Sequence, residues 1–491
     1  MRPLIAVAAV LALLGTLASF ATPRAEGCAF SRTPTAYESG RSRAAYLLGL
    51  ELASYNMIAP ADPFFGTPNV ETGLRGARAG AESPYISPIL LKANAWIESN
   101  MTQANGNTPF DAVGPALISF DCGHGIMQVT SGMTSPADNG WPSQRQALVA
   151  THYLFNIARG AAILVDKWNA APEFRPVAGT DTDSDPTIAE NWYFAVWGYN
   201  GFTGPGANRS NHPMDPRYAN WPRTGYSCGP LDDGYGHSYG NYPYQEIAFG
   251  CAARPPSVDG SPVWTPMELS LPDLNDEDWS GPLSLNNWSN CASRSNCAAM
   301  DMPSPAPTHT DPTGRPSSDV AALLLAEPKL SVNRTRVSDP VSTVVISNTG
   351  TGVLSWRARA NDSWIGIDRQ AGVAIASDVT CSTDQCERSA TLTIQITEAR
   401  GPSWVDIESL TTGEVRTRRM ASAAICEELQ GASYRAAARA ATGGRTEHNR
   451  GSSGTRSRSA PTAHRGDRPP GRLARDPPQG AQTRRGASRA T

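Results

Sequence analysis

Apolar positions along this chain follow a helical period in three stretches and an alternating one in a fourth. In the first, Ile86, Ile89, Leu90, Ala93 and Ile97 share one face. Ser87 is placed to cap that helix and Pro88 to open it, where a missing N–H costs nothing. The second begins with the capping-box spacing Ser143 to Gln146 and carries Leu154, Ile157, Ala158, Ala161, Val165 and Trp168 on one side. It predicts one long helix, stopped by Pro172. The third runs from Asp185-Pro186 to Asn200 through Ile188, Trp192, Ala195, Val196 and Tyr199, with Gly201 placed to end it. From Pro328 to Thr397 the pattern alternates. Leu330-Ser331-Val332, Val344-Val345-Ile346, Leu354-Ser355-Trp356 and Thr391-Leu392-Thr393-Ile394 read as strands, with turn signals such as Asn348-Thr349-Gly350 between them.

Composition divides the 491 residues further. Arg2, an apolar run from Leu4 to Leu17 and small residues near Ala21 and Ala25 read as a secretory signal over residues 1–25. No other apolar run reaches spanning length, so no membrane span is expected. A helical domain over 26–253 is followed by a Pro-, Ser- and Asn-rich stretch, 254–327, that reads as a linker. A strand-rich domain over 328–420 comes next. Residues 421–491 read as a disordered tail: from Gly431 onward it holds 13 arginines against three acids and almost nothing apolar to bury. The chain as a whole carries −3, so basicity is local to that tail. Either the tail grips anionic wall polymer or lipid, or it has no selected role.

Nine cysteines in an exported chain point to disulfides. Cys228–Cys251, Cys291–Cys297 and Cys381–Cys386 are close pairs, Cys28–Cys122 is a fourth, and Cys426 is left over. No Cys/His spacing supports a metal site, and no cofactor is expected. The alternating carboxylates Asp181, Asp183 and Asp185 lack the twelfth-position Glu of a calcium loop, since Trp192 stands there.

One acid stands out. Glu98 closes the apolar helix that begins at Ser87, beside its buried stripe. A carboxyl half-sunk in an apolar wall holds its proton toward neutral pH, which suits it to protonate a glycosidic oxygen. The competing reading is an ordinary solvated Glu on a surface helix. Gly198-Tyr199-Asn200-Gly201 places a phenol and an amide at another helix end, where they can hydrogen-bond a carboxyl or a sugar.

Glu98-Ser99, Gly125-Ile126-Met127-Gln128 and Ala195-Val196-Trp197-Gly198-Tyr199-Asn200 occur in the order of the three signatures of SLT-type lytic transglycosylases. The chain thus resembles this goose-lysozyme-like family from about Ala44 to Gly250. The resemblance implies a mainly α, lysozyme-like catalytic domain. It implies that Glu98 is the single acid/base acting between muramoyl and glucosaminyl residues of peptidoglycan, with Tyr199 orienting it. It also implies that Ser99, Gly125, Met127, Gln128 and Asn200 line the groove, although Met127 is equally readable as a core methionine. His124 stands where many relatives carry other residues. Asp121 offers a second carboxylate, either for water-activated inverting hydrolysis or as a cap of its turn.

The stretch Arg217 to Cys251 is rich in aromatic residues and glycine, and reads either as a sugar-stacking wall or as a packed loop. Tyr242 and Tyr244 are its candidates for the groove. VVISNTGTGVLSW and NDSWIGIDRQAG resemble a BACON-type immunoglobulin-like β-sandwich module, a type linked with carbohydrate or mucin binding or serving as a spacer. The expected whole is a secreted or periplasmic, cell-wall-associated multidomain enzyme that leaves 1,6-anhydro ends. A water-using hydrolase and a non-catalytic wall or carbohydrate binder are the alternatives. Nucleic acid is not an expected partner of an exported chain.

Overall fold

Ser87 and Pro88 do open a helix, but the cap comes from elsewhere. The Ser87 hydroxyl donates to Asp311 Oδ2 at 2.8 Å, and the same oxygen accepts the Ile89 N–H at 2.7 Å. A distant carboxylate therefore satisfies the positive end of the helix. The computed structural model describes residues 28–74, 77–170, 184–204, 210–218, 220–223, 225–229, 239–281, 283–286, 307–320, 326–333, 336–337, 339–380, 386–398 and 401–420. All belong to one compact unit, residues 1–431. The signal region, the basic tail and the Asp181–Asp183 carboxylates lie outside the described residues.

Helices dominate the first part of the fold. In chain order they are α1 (Ala44–Ser54), α2 (Pro88–Ser99), α3 (Gln144–Thr151), α4 (Tyr153–Asn169), α5 (Tyr193–Tyr199) and α6 (Tyr244–Ala253). Two antiparallel pairs accompany them: β1 (Thr35–Glu38) with β4 (Ala112–Pro115), and β2 (Val70–Leu74) with β3 (Ala77–Glu82). Leu50, Leu90, Ile126, Leu154, Ile157, Trp168, Trp192, Trp197 and Phe249 share one closed core. Burial of this kind is the main term holding such a body together.

The single helix predicted from Ser143 onward is in fact two, bent by 106° at His152. The capping box is present: the Ser143 side chain accepts from Gln146 N, and Gln146 Oε1 accepts from Ser143 N. The bend has an identifiable cause in side chains that take up carbonyls near the end of α3. Gln103 Nε2 reaches Ala150 O at 3.1 Å, and Asn156 Nδ2 reaches Val149 O at 2.9 Å. The helix expected from Asp185 starts later, as a 3-10 turn at Ala189–Trp192 that leads into α5. Asp185 instead holds the Thr187 N–H at 2.8 Å.

The stretch read as a linker packs against the helices over its described residues. It contains the small hairpin β5 (Ser257–Val258) with β6 (Ser261–Pro262) and the short α7 (Glu277–Ser280). Trp264, Met267, Leu274, Trp279 and Leu283 enter the helical core. Buried Glu190 accepts from Ser270 N (3.0 Å) and His309 N (2.8 Å), and Tyr55 donates to Thr313 O (2.7 Å). Proline and serine frequency signalled a flexible connection, whereas its sparse tryptophans and acids decide the packing.

The remaining strands form two sheets, confirming the alternation at its coarser level. They are β7 (Leu330–Val332), β8 (Arg336–Val337), β9 (Val341–Asn348), β10 (Val353–Ala360), β11 (Ile365–Ile367), β12 (Ala371–Ile375), β13 (Ser389–Ile396), β14 (Ser403–Ser409) and β15 (Val415–Met420). One sheet has the order β12-β10-β14-β15-β8, the other β11-β13-β9-β7. Val344, Ile346, Leu354, Trp356, Leu392, Ile394, Val405 and Ile407 fill the space between them. The protein is thus mixed, with a helical part and a β part.

These two parts are joined by buried and half-buried contacts. Val373 and Ile375 of β12 cluster with Tyr37 of β1. Arg359 pairs with Asp138 at 3.0 Å, Arg357 donates to Pro142 O at 2.9 Å, and Thr151 Oγ1 meets Ser355 Oγ at 3.1 Å. Cys28–Cys122 and Cys228–Cys251 are bonded as read from the sequence. Cys291, Cys297, Cys381 and Cys426 lie outside the described residues. Among the described residues, no single helix is long and apolar enough to cross a membrane, and no three His, Cys, Asp or Glu side chains gather as a metal site would require.

Candidate active site

Glu98 stands in the last turn of α2, where the helix carbonyls already oppose a negative charge. The helix stops immediately afterwards, because Asn100 and Met101 both turn into the left-handed region with φ of 54° and 52°. Burial is the main cause that lifts the Glu98 carboxyl from its ordinary value to about 7. The nearby Asp121 charge lifts it further, while hydrogen bonds from Tyr244 and Asn200 pull it down. The Tyr244 hydroxyl donates to Glu98 Oε1 at 2.5 Å. Glu98 is half-buried, and Asn200 and Asp121 beside it are exposed.

The phenol hydrogen-bonded to Glu98 is therefore Tyr244, not Tyr199. Burial first, and then the nearby Glu98 charge, raise the Tyr199 pKa, but its hydroxyl donates to Met127 O at 2.7 Å. Tyr199 accordingly ties α5 to the turn between His124 and Val129. The reason is reach: Tyr244 opens α6, which packs on α2, and its ring is almost fully buried against that face.

That turn is held from below by the two side chains at the α3–α4 bend. Gln103 Oε1 accepts the Ile126 N–H at 3.2 Å, and Asn156 Oδ1 accepts the Met127 N–H at 2.8 Å. Gly125 sits between them with φ +64°. A Cβ there would come within 2.5 Å of Gln103 Oε1 and 2.6 Å of Asn156 Nδ2. Only glycine fits, for both conformation and space. Its place is fixed by backbone packing against these two side chains.

Other assignments divide in the same way. Met127 is wholly buried and lies against Gly160 of α4, where an added Cβ would meet its side chain at 2.5 Å. It is the core methionine of the two readings. The Ser99 hydroxyl donates to Ile126 O at 2.8 Å and accepts from Thr102 N at 3.1 Å, joining the helix end to the turn. Gln128, half-buried with φ +44°, donates its amide to Gly125 O at 2.8 Å. Tyr242 packs edge-on against Tyr226 at 5.3 Å and is nearly buried, away from open solvent. His124 is fully buried, its Nδ1 2.7 Å from Cys122 O, and burial lowers its pKa to about 4. A neutral imidazole in that place is scaffold.

Asp121 belongs to a tight, braced turn. Ser119 N donates to Gly123 O (2.9 Å), Cys122 N to Ser119 O (3.1 Å), and the Cys28–Cys122 disulfide ties the turn to the chain start. Its neighbour Phe120 is 88% exposed, next in the chain to the carboxylate whose charge acts on Glu98. Sequence reasoning missed Gln103, Asn156 and Phe120, because none of them follows a helical or strand period.

No family model and no curated protein matches this chain. Solved structures overlap with about a fifth of it. A C. elegans MSP family member has 11% identity and a TM-score of 0.15, over 18% of this chain and 94% of that one. The E. coli chaperone DraB has 9% and 0.15, over 19% and 54%. Domains 4 and 5 of the S-layer protein SbsC have 9% and 0.14, over 19% and 51%. This chain spans about half the length of the last two. Overlaps at these TM-scores carry no argument about fold or function.

Proposed function

We propose that this chain is an exported, SLT-type peptidoglycan-cleaving enzyme whose helical part is lysozyme-like and whose acid/base is Glu98. The observation that carries the reading is the Glu98 carboxyl itself, its pKa lifted to about 7, with a phenol donor on one oxygen and the exposed residues Asn200 and Asp121 beside it. A group of that pKa is protonated often enough to act as acid and ionised often enough to act as base. The two disulfides fit an oxidising compartment.

In the reaction, Glu98 gives its proton to the oxygen between the muramoyl and glucosaminyl rings. The C1–O bond breaks, and the leaving sugar keeps that proton. The Glu98 carboxylate then takes the proton of the muramoyl C6 hydroxyl as O6 bonds to C1, closing the anhydro ring. Tyr244 and Asn200, which favour the carboxylate, stabilise the charge that forms on Glu98. One observation favours a second chemistry: exposed Asp121 is close enough for its charge to act on Glu98. As a base on water it would give hydrolysis with reducing ends. The β part is read as the immunoglobulin-like module, a contact for other carbohydrate.

Digestion of purified sacculi with wild type and Glu98→Gln tests the proposal. Soluble fragments from the wild type alone support it, and mass spectrometry assigns anhydro or reducing ends. Equal digestion by both proteins removes Glu98 from the chemistry. Pelleting with sacculi without released fragments leaves a wall binder.

A further inference from the structure

Asn200 meets Glu98 through its side-chain amide, and the end of that amide that faces the carboxyl decides whether it donates or accepts. Asn211 controls this choice. Its Nδ2 donates to Asn200 Oδ1 at 2.8 Å, which occupies the oxygen and turns the Asn200 NH2 toward the acid. Asn211 is 6% exposed and is held on both sides. Its N–H donates to Thr203 O at 3.2 Å, and its carbonyl accepts Gln245 Nε2 at 2.8 Å. Gln245 adjoins Tyr244, the other donor to Glu98. The next residue, Glu246, is fixed by a buried pair with Arg223 at 2.6 Å, and Arg223 Nη2 also donates to Pro213 O at 2.7 Å. One short segment, 211–213, is thus tied to both groups that grip the acid.

We propose that Asn211 is a positioning residue: by occupying the oxygen of Asn200, it makes Asn200 an obligate hydrogen-bond donor to Glu98 and so tunes the proton affinity of the acid. This deepens, and rests on, the reading of Glu98 as acid/base. The groups facing Glu98 are Tyr244 from α6, Tyr199 and Asn200 at the end of α5, and Asp121 from the braced turn. Asp121 opposes the carboxylate, whereas Tyr244 and Asn200 favour it. Reversing the Asn200 amide converts one of its two supporters into an acceptor that favours the protonated acid.

The test uses the full chain, with the Glu98 carboxyl followed by ¹³C NMR titration alongside sacculus digestion across pH. In Asn211→Asp the new carboxylate accepts from the Asn200 NH2, leaving the Asn200 oxygen toward Glu98. The Glu98 midpoint is expected to rise by about one pH unit. Asn200→Ala, at an exposed position, should raise it similarly, and adding Asn211→Asp to that variant should raise it no further. A new charge acting through space would shift both backgrounds alike, and that outcome overturns the proposal. An unmoved midpoint in Asn211→Asp does the same. Should Asn211→Asp fail to fold, Asn211→Ala reads the same coupling, because a freed Asn200 donates less and part of the rise must appear. Equal digestion by Glu98→Gln and wild type would instead sink the functional reading, while the titration still decides the role of Asn211.

Discussion

Tyr244 and Glu98, 146 positions apart, are joined by a 2.5 Å hydrogen bond from phenol to carboxylate oxygen. The bond works against burial. Removal from water pushes the Glu98 proton affinity up, while the donated hydrogen bond stabilises the charged form. The value near 7 is the balance, so altering either side moves it in a known direction.

Tyr244→Phe removes the donor and leaves burial unopposed on that oxygen. The alkaline limb of sacculus digestion should move up by about one pH unit, with a rate loss on the order of tenfold from poorer orientation. Tyr199→Phe should leave that limb in place. It strips the Met127 carbonyl of its partner, costing about 1–3 kcal/mol of stability. Paired pH–rate profiles and thermal melts decide, and a larger limb shift in Tyr199→Phe would reverse the two roles.

Glu98 also makes stability depend on pH. Its folded pKa of about 7 lies above the ordinary 4.5, so between those values the native state binds more protons than the unfolded chain. The stability that Glu98 contributes is therefore fully present below 4.5 and is lost as pH rises through 7. The loss has a ceiling of about 3 kcal/mol, reduced by the solvent that reaches a half-buried group. Glu98→Gln does not titrate. Its melting temperature relative to wild type should climb from pH 4.5 to 8, and a flat difference would contradict the raised pKa. Buried Glu38, also lifted to about 7 by burial, cancels in the comparison.

The β part should not be removable. Ala371 and Leu410 belong to the helical core, and Tyr37 is covered by Val373 and Ile375. Ending the chain at Glu327 would uncover these surfaces and leave Asp138 without its arginines. Fragment 26–327 is expected to aggregate or to lose its cooperative melt, as read by size exclusion and circular dichroism. A folded, monomeric fragment would show that the contacts between the two parts are dispensable.

The apolar periods of α2, α4 and the strands were legible because burial imposes them on every turn or alternate residue. The acid was legible for the same reason, since Glu98 borders a periodic stripe. Tyr244 was named only as a groove candidate, because its role depends on α6 packing against α2, a long-range event that leaves no local spacing. Gln103 and Asn156 were invisible. Each is a polar side chain sunk in the core, and its value lies in backbone groups brought to it from two separate segments, 124–127 and 149–150. The break at His152 escaped for a related reason: the capping box and apolar period fit one helix, and only those inserted amides favour two.

Asn156 offers the sharpest test of that scaffold. Its Oδ1 holds the Met127 N–H at 2.8 Å, while its Nδ2 donates to His124 O at 2.6 Å and Val149 O at 2.9 Å. Asn156→Leu leaves the buried Met127 N–H without its partner and removes one of two donors from each of His124 O and Val149 O, which keep Val129 N and Gln103 Nε2, at a cost of about 1–3 kcal/mol. Asn156→Asp keeps the acceptor but turns a second oxygen on the two carbonyls. Ionised, it repels both; protonated, it donates to one of them. Burial and those carbonyls raise the pKa of the new acid, so its native state holds the proton to higher pH than the unfolded chain does. Asn156→Asp should therefore be most stable at low pH and lose stability as pH rises through neutrality, more steeply than wild type. Thermal melts from pH 4 to 8 read this directly, and an Asn156→Asp curve parallel to wild type would mean that the amide does not hold the turn.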